Sequence, residues 1–192
     1  DAMKNGEIHL VFNTTEGALA IADSAYGSMT LKAHCRQAGL VYLINDKAAR
    51  HGLITHATQK AGSPINALVN CAAMFEYDTI DTLTEETLQR HIALNTFTPS
   101  LLAREFAEAL PEGARGSVVN FLDFKLASPY PDHFSYTLSK YALAGATELL
   151  ARALAPRVRV NAVAPGYVLP APGQGDADYQ RLHADTPLNY GP

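Results

Sequence analysis

Tyr136 and Lys140 stand four residues apart in the segment Tyr136-Thr-Leu-Ser-Lys140. On a helix that spacing sets both side chains on one face. An ammonium beside a phenol favours the phenolate and lowers the tyrosine pKa from about 10. A tyrosine tuned in this way exchanges a proton with a carbonyl, an imine or an alcohol. The pair occurs by chance in many helices, so its meaning depends on the elements that position it.

Those elements alternate. Glu7–Asn13, Leu40–Asn45, Ile65–Cys71, Gly116–Leu122 and Val158–Val163 are branched or aromatic runs that read as strands. Between them lie helical stretches: Thr15–Gln37, Lys47–Ala61 stopped by Gly62-Ser63-Pro64, and Ser135–Ala155. Another opens at Thr84, with Glu85 and Glu86 in its first turn, and runs towards Leu110, with Pro99 as a kink or break. Near-continuous apolar strands predict parallel strands covered on both faces. Strand–helix–strand order predicts right-handed crossovers and a single doubly wound, Rossmann-like α/β domain over 1–192. Ligands of such sheets bind beyond the carboxyl ends of the strands. There the sequence places Asn13, Thr14 and Thr15, then Ala72 to Phe75, then Asp123, then Pro165 and Gly166.

Composition excludes several classes. The chain has 192 residues, 15 Lys plus Arg against 19 Asp plus Glu, and a net charge of −4. That balance provides no footprint for nucleic acid or an anionic membrane. With 47% hydrophobic and 18% charged residues, one real core is expected. The longest apolar runs fall far short of the 18 or so residues that cross a bilayer, and no signal peptide is visible. Cys35 and Cys71 read as buried small residues of a reducing compartment, which points to the cytoplasm. The seven His are scattered and none pairs with Cys at ligand spacing, so no metal site is expected; His51 and His56 read as solvent-facing.

Over residues 65–170 the chain resembles the short-chain dehydrogenase/reductase family. Asn70-Cys-Ala-Ala73 is similar to the family's Asn-Asn-Ala-Gly segment, with two of the four positions changed. Asn95 in His91-Ile-Ala-Leu-Asn95 matches the family's catalytic asparagine, and Tyr136 and Lys140 match its catalytic pair. Arg159-Val-Asn161-Ala-Val-Ala-Pro165-Gly166 resembles the segment leading to the Pro-Gly turn beside the nicotinamide. One departure narrows the resemblance. About thirteen residues before the Tyr the family usually carries a Ser, and this chain has Asp123. That pattern resembles the pteridine reductase and dihydromonapterin reductase branch. A carboxyl group suits a basic heterocycle as hydrogen-bond partner, whereas a hydroxyl suits a plain carbonyl. Phe75 sits where that branch places an aromatic to stack on the pterin; its other reading is a core aromatic.

The resemblance implies hydride transfer from NADPH to a C=N or C=O bond, with Tyr136 and Asp123 donating the proton. It implies that Lys140 depresses the Tyr136 pKa and holds the nicotinamide ribose, and that Asn95 keeps a water for proton relay. Cofactor contacts are expected at Asn13, Thr14, Thr15, Asn70, Ala72, Tyr136, Lys140, Pro165 and Gly166, and substrate contacts at Phe75, Asp123 and Tyr136. The partner would be a small molecule, a pterin or folate, and the assembly a homotetramer or homodimer. The Ala-rich face of Tyr141–Leu154 would suit packing between subunits, with core packing as its other reading. The 167–186 loop is expected to cover the substrate. Two other functions stay open: a non-catalytic dinucleotide-binding scaffold derived from the fold, and a generic carbonyl or alcohol dehydrogenase.

No Gly-x-Gly-x-x-Gly follows the first strand, and Gly173-Gln-Gly175 lies in a Pro/Gly-rich loop rather than between a strand and a helix. Two registers follow. In the preferred one, Glu7–Asn13 is the family's second strand, and the first βα unit lies upstream. The absence of an acidic residue at its end then favours NADP over NAD, although Thr14 stands where an Arg is usual. Removing the first strand of a 3-2-1-4-5-6 sheet leaves a gap with two unpaired edges. A last helix and strand would also be missing, and weak NADPH binding is expected of this chain. In the alternative register, Glu7–Asn13 is the first strand and Asn13–Gly17 a degenerate phosphate loop. Leu40–Asn45 is then the second strand, Asp46 binds an NAD ribose, and one βα unit is deleted.

Overall fold

A computed structural model describes residues 10–14, 41–44, 52–168 and 175–184. The expected helix 15–37, the start of the 47–61 helix, and Thr15, Cys35, Asp46, His51 and Gly173 lie outside the described residues. Among the described residues, five strands form one sheet: β1 (Leu10–Thr14), β2 (Val41–Ile44), β3 (Ala67–Asn70), β4 (Gly116–Phe121) and β5 (Val158–Val163). All pair in parallel, in the order β2-β1-β3-β4-β5. The α/β class with a parallel, Rossmann-like sheet is as expected.

The expected gap is absent. β1 pairs directly with β3, Leu10 opposite Ala67 and Asn13 opposite Asn70, and with β2 on its other side. This is the strand order of the alternative register. Closing the sheet joins two rows of backbone N–H and C=O groups that a gap would strand.

The helices are α1 (Leu53–Ala61), α2 (Glu85–Ile92), α3 (Thr98–Ala109), α4 (Phe134–Leu154) and α5 (Asp176–Ala184). Gly62, with φ 68°, ends α1, and its N–H meets the carbonyls of Thr58 and Gln59. That left-handed conformation is open to glycine without a Cβ penalty. Thr84 caps α2 by accepting the Thr87 N–H. α5 lies inside the stretch expected to be a loop.

Pro99 breaks the long helix, but upstream of itself. Residues Ala93–Phe97 form a π turn between α2 and α3. Proline lacks an N–H and its ring crowds the carbonyl four residues earlier, here that of Asn95. Widening the turn relieves the crowding: the Thr98 N–H and hydroxyl both reach Ala93 O. Asn95 and Thr96, within the widened turn, are buried.

Among the described residues the core is one cluster. It joins Leu53, Ile54 and Ala57 of α1, Leu102, Ala103 and Phe106 of α3, and Leu68, Val118, Val158 and Val160 of the sheet. Leu150, Ala151 and Leu154 of α4 pack against it. Only one sheet face is covered by described helices. Val158 and Val160 are buried while Arg159, Asn161 and Val163 are exposed, in place of the two-sided burial expected. The reason is topological. Right-handed crossovers that advance along the sheet in one direction land on one face. The β1-to-β2 crossover, which runs the other way, falls in 15–40, outside the described residues. Among the described residues no helix is long and apolar enough to cross a membrane.

Gly116 starts β4 against α3. A Cβ there would lie 2.6 Å from the Phe106 ring and 2.9 Å from Leu110 Cδ1. Gly116→Ala is expected to destabilise by about 1–3 kcal/mol, or roughly 3–10 °C in melting temperature. Gly145→Ala, where a Cβ meets nothing within 4 Å, should be neutral or stabilising by helix propensity. Calorimetric melting of both variants checks the pair.

Candidate active site

The site is built from what leaves the carboxyl ends of β3, β4 and β5, closed by the start of α4. Register sets its floor: Asn13, Asn70 and Asn120 are neighbours in one row across β1, β3 and β4. Asn70 and Asn120 are buried, and an amide in an apolar interior must find partners. Asn70 Nδ2 donates to Asn120 Oδ1 at 2.9 Å, and Asn120 Nδ2 donates to Thr147 Oγ1 at 2.9 Å. Thr147 in turn donates to Leu143 O. Asn70, expected at the cofactor, thus ties the sheet to α4. Cys71, expected to be buried, is exposed: it lies just past the last paired residue of β3, where the chain leaves the sheet.

Beyond β3 the chain alternates. Met74, Glu76 and Asp78 are held by the protein, while Phe75 and Tyr77 turn to His133. Met74 is clamped at both backbone groups by Asn95, which accepts its N–H at 2.7 Å and donates to its carbonyl at 3.0 Å. Asn95 donates its other N–H to Ser139 Oγ at 2.9 Å, and Ser139 donates to Tyr136 O. Both amide protons of Asn95 are therefore used by the protein. Glu76 pairs with Arg90 at 2.9 Å, and its N–H donates to Nε2 of buried His91. Nδ1 of His91 lies 2.8 Å from Thr87 O, so the imidazole proton belongs on Nδ1.

Asp78 is buried and holds the start of α4. Its carboxylate accepts the N–H and the hydroxyl of Ser135, and its carbonyl accepts the Phe134 N–H. The residue in the N-cap position, His133, supplies no side-chain cap and has φ 49° and ψ 48°. For a non-glycine residue that left-handed conformation costs roughly 1–2 kcal/mol. Asp78 takes over the capping from far away in sequence, its negative charge meeting the exposed N–H groups of the helix.

Tyr136, Asp123 and Phe75, the three expected substrate residues, come together. The Tyr136 hydroxyl donates to Asp123 Oδ2 at 2.6 Å, and Phe75 meets the Tyr136 ring edge-on at 4.6 Å between centroids. Asp123 Oδ1 accepts the Lys125 N–H, which fixes the carboxylate. Pro165 O accepts the Phe124 N–H, docking the turn after β5 beside Asp123, with Gly166 next to it. Ala72, just beyond β3, is half-buried; nothing is described of the side chains of Asn13 and Thr14.

Lys140 corrects one expectation. Its ammonium donates to Phe121 O at 2.6 Å and sits 5.5 Å from the Tyr136 ring centre, not on the hydroxyl. The Tyr136 pKa is accordingly raised, first by burial, then by the Asp123 charge and its hydrogen bond. Lys140 is pushed down to about 8 by burial, against the pull of Asp123 and Cys71. In this state the phenol is a retained acid rather than a ready phenolate.

Sequence reasoning missed four residues. Asn120 carried a signal, a lone amide inside an apolar strand, and Asp78 a weaker one, its even spacing from Met74. Ser139 and His133 carried none. His133 stacks on Phe75 at 4.2 Å and 8°, with Tyr77 edge-on at 5.2 Å. Its Nδ1 lies 3.4 Å from Asp132 Oδ2 and 3.5 Å from Lys125 Nζ. Burial, then Lys125, holds the His133 pKa below its usual value, against Asp132 and Asp78.

With this geometry in place, comparisons add relatives. The family model for short chain dehydrogenase matches residues 3–179. A dihydromonapterin reductase of Enterobacter sp. (strain 638) is 31% identical over 150 residues, covering 76% of this chain and 62% of that protein. Dehydrogenase/reductase SDR family member 4 of Homo sapiens is 33% identical over 132 residues, 68% of this chain and 47% of that protein. The chain thus spans about half to three fifths of the length of such curated relatives. Among solved structures, FolM alternative dihydrofolate reductase 1 of Brucella canis, complexed with NADP, superposes with a TM-score of 0.82 at 33% identity. It covers 100% of this chain and 84% of that one. The Brucella suis counterpart, also with NADP, gives 0.80 at 34% identity, with 98% and 74% covered.

Two outcomes follow. Asp78→Ala is expected to lower stability by about 1–3 kcal/mol, the range for a lost cap with buried donors left unpaired; denaturant titration measures it. Lys140 has a folded pKa of about 8 against an ordinary 10.5, so the unfolded chain binds that proton more tightly. The contribution of Lys140 to stability should therefore rise by roughly 3 kcal/mol as pH climbs from about 8 to 10.5. Lys140→Met should remove that rise in a pH series of melts.

Proposed function

Since the chain belongs to the short chain dehydrogenase family, we propose that it reduces a pterin-like C=N bond, or a C=O bond, of a small substrate with NADPH. The observation that carries this is the 2.6 Å bond from the Tyr136 hydroxyl to Asp123, beside the half-exposed ring of Phe75. A carboxyl group in place of the family's usual hydroxyl suits a basic ring nitrogen, and the ring beside it suits a flat heterocycle. The dihydromonapterin reductase and FolM likenesses point to the same substrate class.

The residues fit a dinucleotide. Lys140 is a buried ammonium for which, among the described residues, one protein acceptor is seen, Phe121 O. Its remaining N–H groups suit the hydroxyls of a ribose. The site lies beyond the carboxyl ends of the strands, next to the reversal of strand order between β1 and β3, where such sheets take their ligands. Asn13 and Thr14 end β1 there, and Ala72, Pro165 and Gly166 follow β3 and β5. Bound there, NADPH supplies the hydride. Its use in place of NADH rests on the NADP-bound likenesses.

Tyr136 holds the proton that the reduced atom takes up, and its raised pKa keeps that proton on through neutral pH. Asp123 orients the hydroxyl and presents the carboxyl to the substrate. Asn95, through Met74, holds Phe75 in place, and through Ser139 it steadies the helix turn that carries Tyr136.

Tyr136→Phe is expected to lower kcat with NADPH and dihydrobiopterin by about 10²–10⁴, the worth of a positioned general acid. Asp123→Asn should lower turnover of the pterin far more than that of a simple ketone. Equal losses on both substrates would point to a plain carbonyl reductase.

A further inference from the structure

We infer that His133 is a positioning residue that backs Phe75, so that a flat heteroaromatic substrate meets a stacked pair of rings instead of a lone, pivoting one. This rests on the reading of the site given above. Phe75 lies on the irregular segment that follows β3 and is 46% exposed, so its own backbone gives its ring little support. The support comes from His133, whose ring lies parallel to it at 4.2 Å. The imidazole is itself fixed on several sides. Tyr77 meets it edge-on, Asp132 and Lys125 flank Nδ1, and Lys125 is paired to Asp132 at 2.8 Å.

Local preference does not call for a histidine here. Position 133 adopts a left-handed backbone and stands at the N-cap of α4, yet His133 makes no capping bond with its side chain. Asn would suit both the conformation and the cap better, and Gly the conformation. Strain of this kind persists where the surroundings over-determine it, and it clusters at ligand clamps. What the imidazole does contribute is the stack on Phe75, itself edge-on to Tyr136. The pair therefore sets the plane in which a flat ring lies against the proton donor.

The test uses His133→Asn and His133→Gly, which remove the ring and relieve the backbone. Melting temperature should hold or rise. KM for 7,8-dihydrobiopterin should rise about threefold to tenfold, the worth of an aromatic pair. Its kcat, and KM for a small acyclic ketone, should change less than about twofold. Phe75 ring resonances in protein carrying labelled phenylalanine should shift as the imidazole ring current is lost. Unchanged Phe75 resonances in both variants overturn the inference, whether or not a pterin is turned over. So does an unchanged dihydrobiopterin KM, or a lowered melting temperature with KM and kcat falling together, the mark of a purely structural residue. If the wild-type chain turns over no pterin, the function reading fails. The backing of Phe75 then stands or falls on the resonances and on calorimetric binding of folate to wild type and variants.

Discussion

A buried amide that must satisfy its hydrogen bonds organises this site. Asn95 joins three separate stretches of chain: the segment leaving β3, the π turn, and the first turns of α4. Unmade, each bond would leave a polar group without water, at a penalty of about 1–3 kcal/mol. Made together, they fix the distance between Phe75 and Tyr136. Pro99 belongs to the same device, since the proline four residues on forces the turn that turns Asn95 inward. A helix-breaking residue thus supplies the irregularity on which the constellation depends, as π bulges often do at functional sites.

The charges are arranged around a second constraint, burial. Tyr136, Lys140 and Asp78 all lie under the surface. Burial raises the phenol and lowers the ammonium, so the two pKa values move apart rather than together. Asp123 reinforces the first shift and opposes the second. The result is an acid that keeps its proton next to a cation that is only just held, at about pH 8. A cofactor's charge would redistribute this balance, because in a low-dielectric site each added charge is felt strongly.

Much of this was legible in the residues. Val158–Val163, Gly116–Phe121 and the stop at Gly62 could be read from apolar runs and turn chemistry. The end-of-strand rule then located Asp123, Pro165 and Gly166. The four-residue spacing of Tyr136 and Lys140 gave a shared helix face, and the offset to Asp123 gave the pair its partner. Two readings failed for a common reason. A strand's neighbours depend on pairing with distant segments, so the closure of β1 onto β3 could not be read from Leu10–Thr14. The exposure of Cys71 could not either, since it depends on where β3 stops pairing.

Local pattern thus determined the elements, the parallel sheet and the residues with reactive groups, because periodicity and turn preference act over a few neighbours. Tertiary structure decided what those groups do. It set Lys140 on a backbone carbonyl instead of the Tyr136 hydroxyl, gave the cap of α4 to Asp78, and laid His133 on Phe75. Each is a contact across a long loop of chain, fixed by which buried polar groups and rings can satisfy one another once the core has closed.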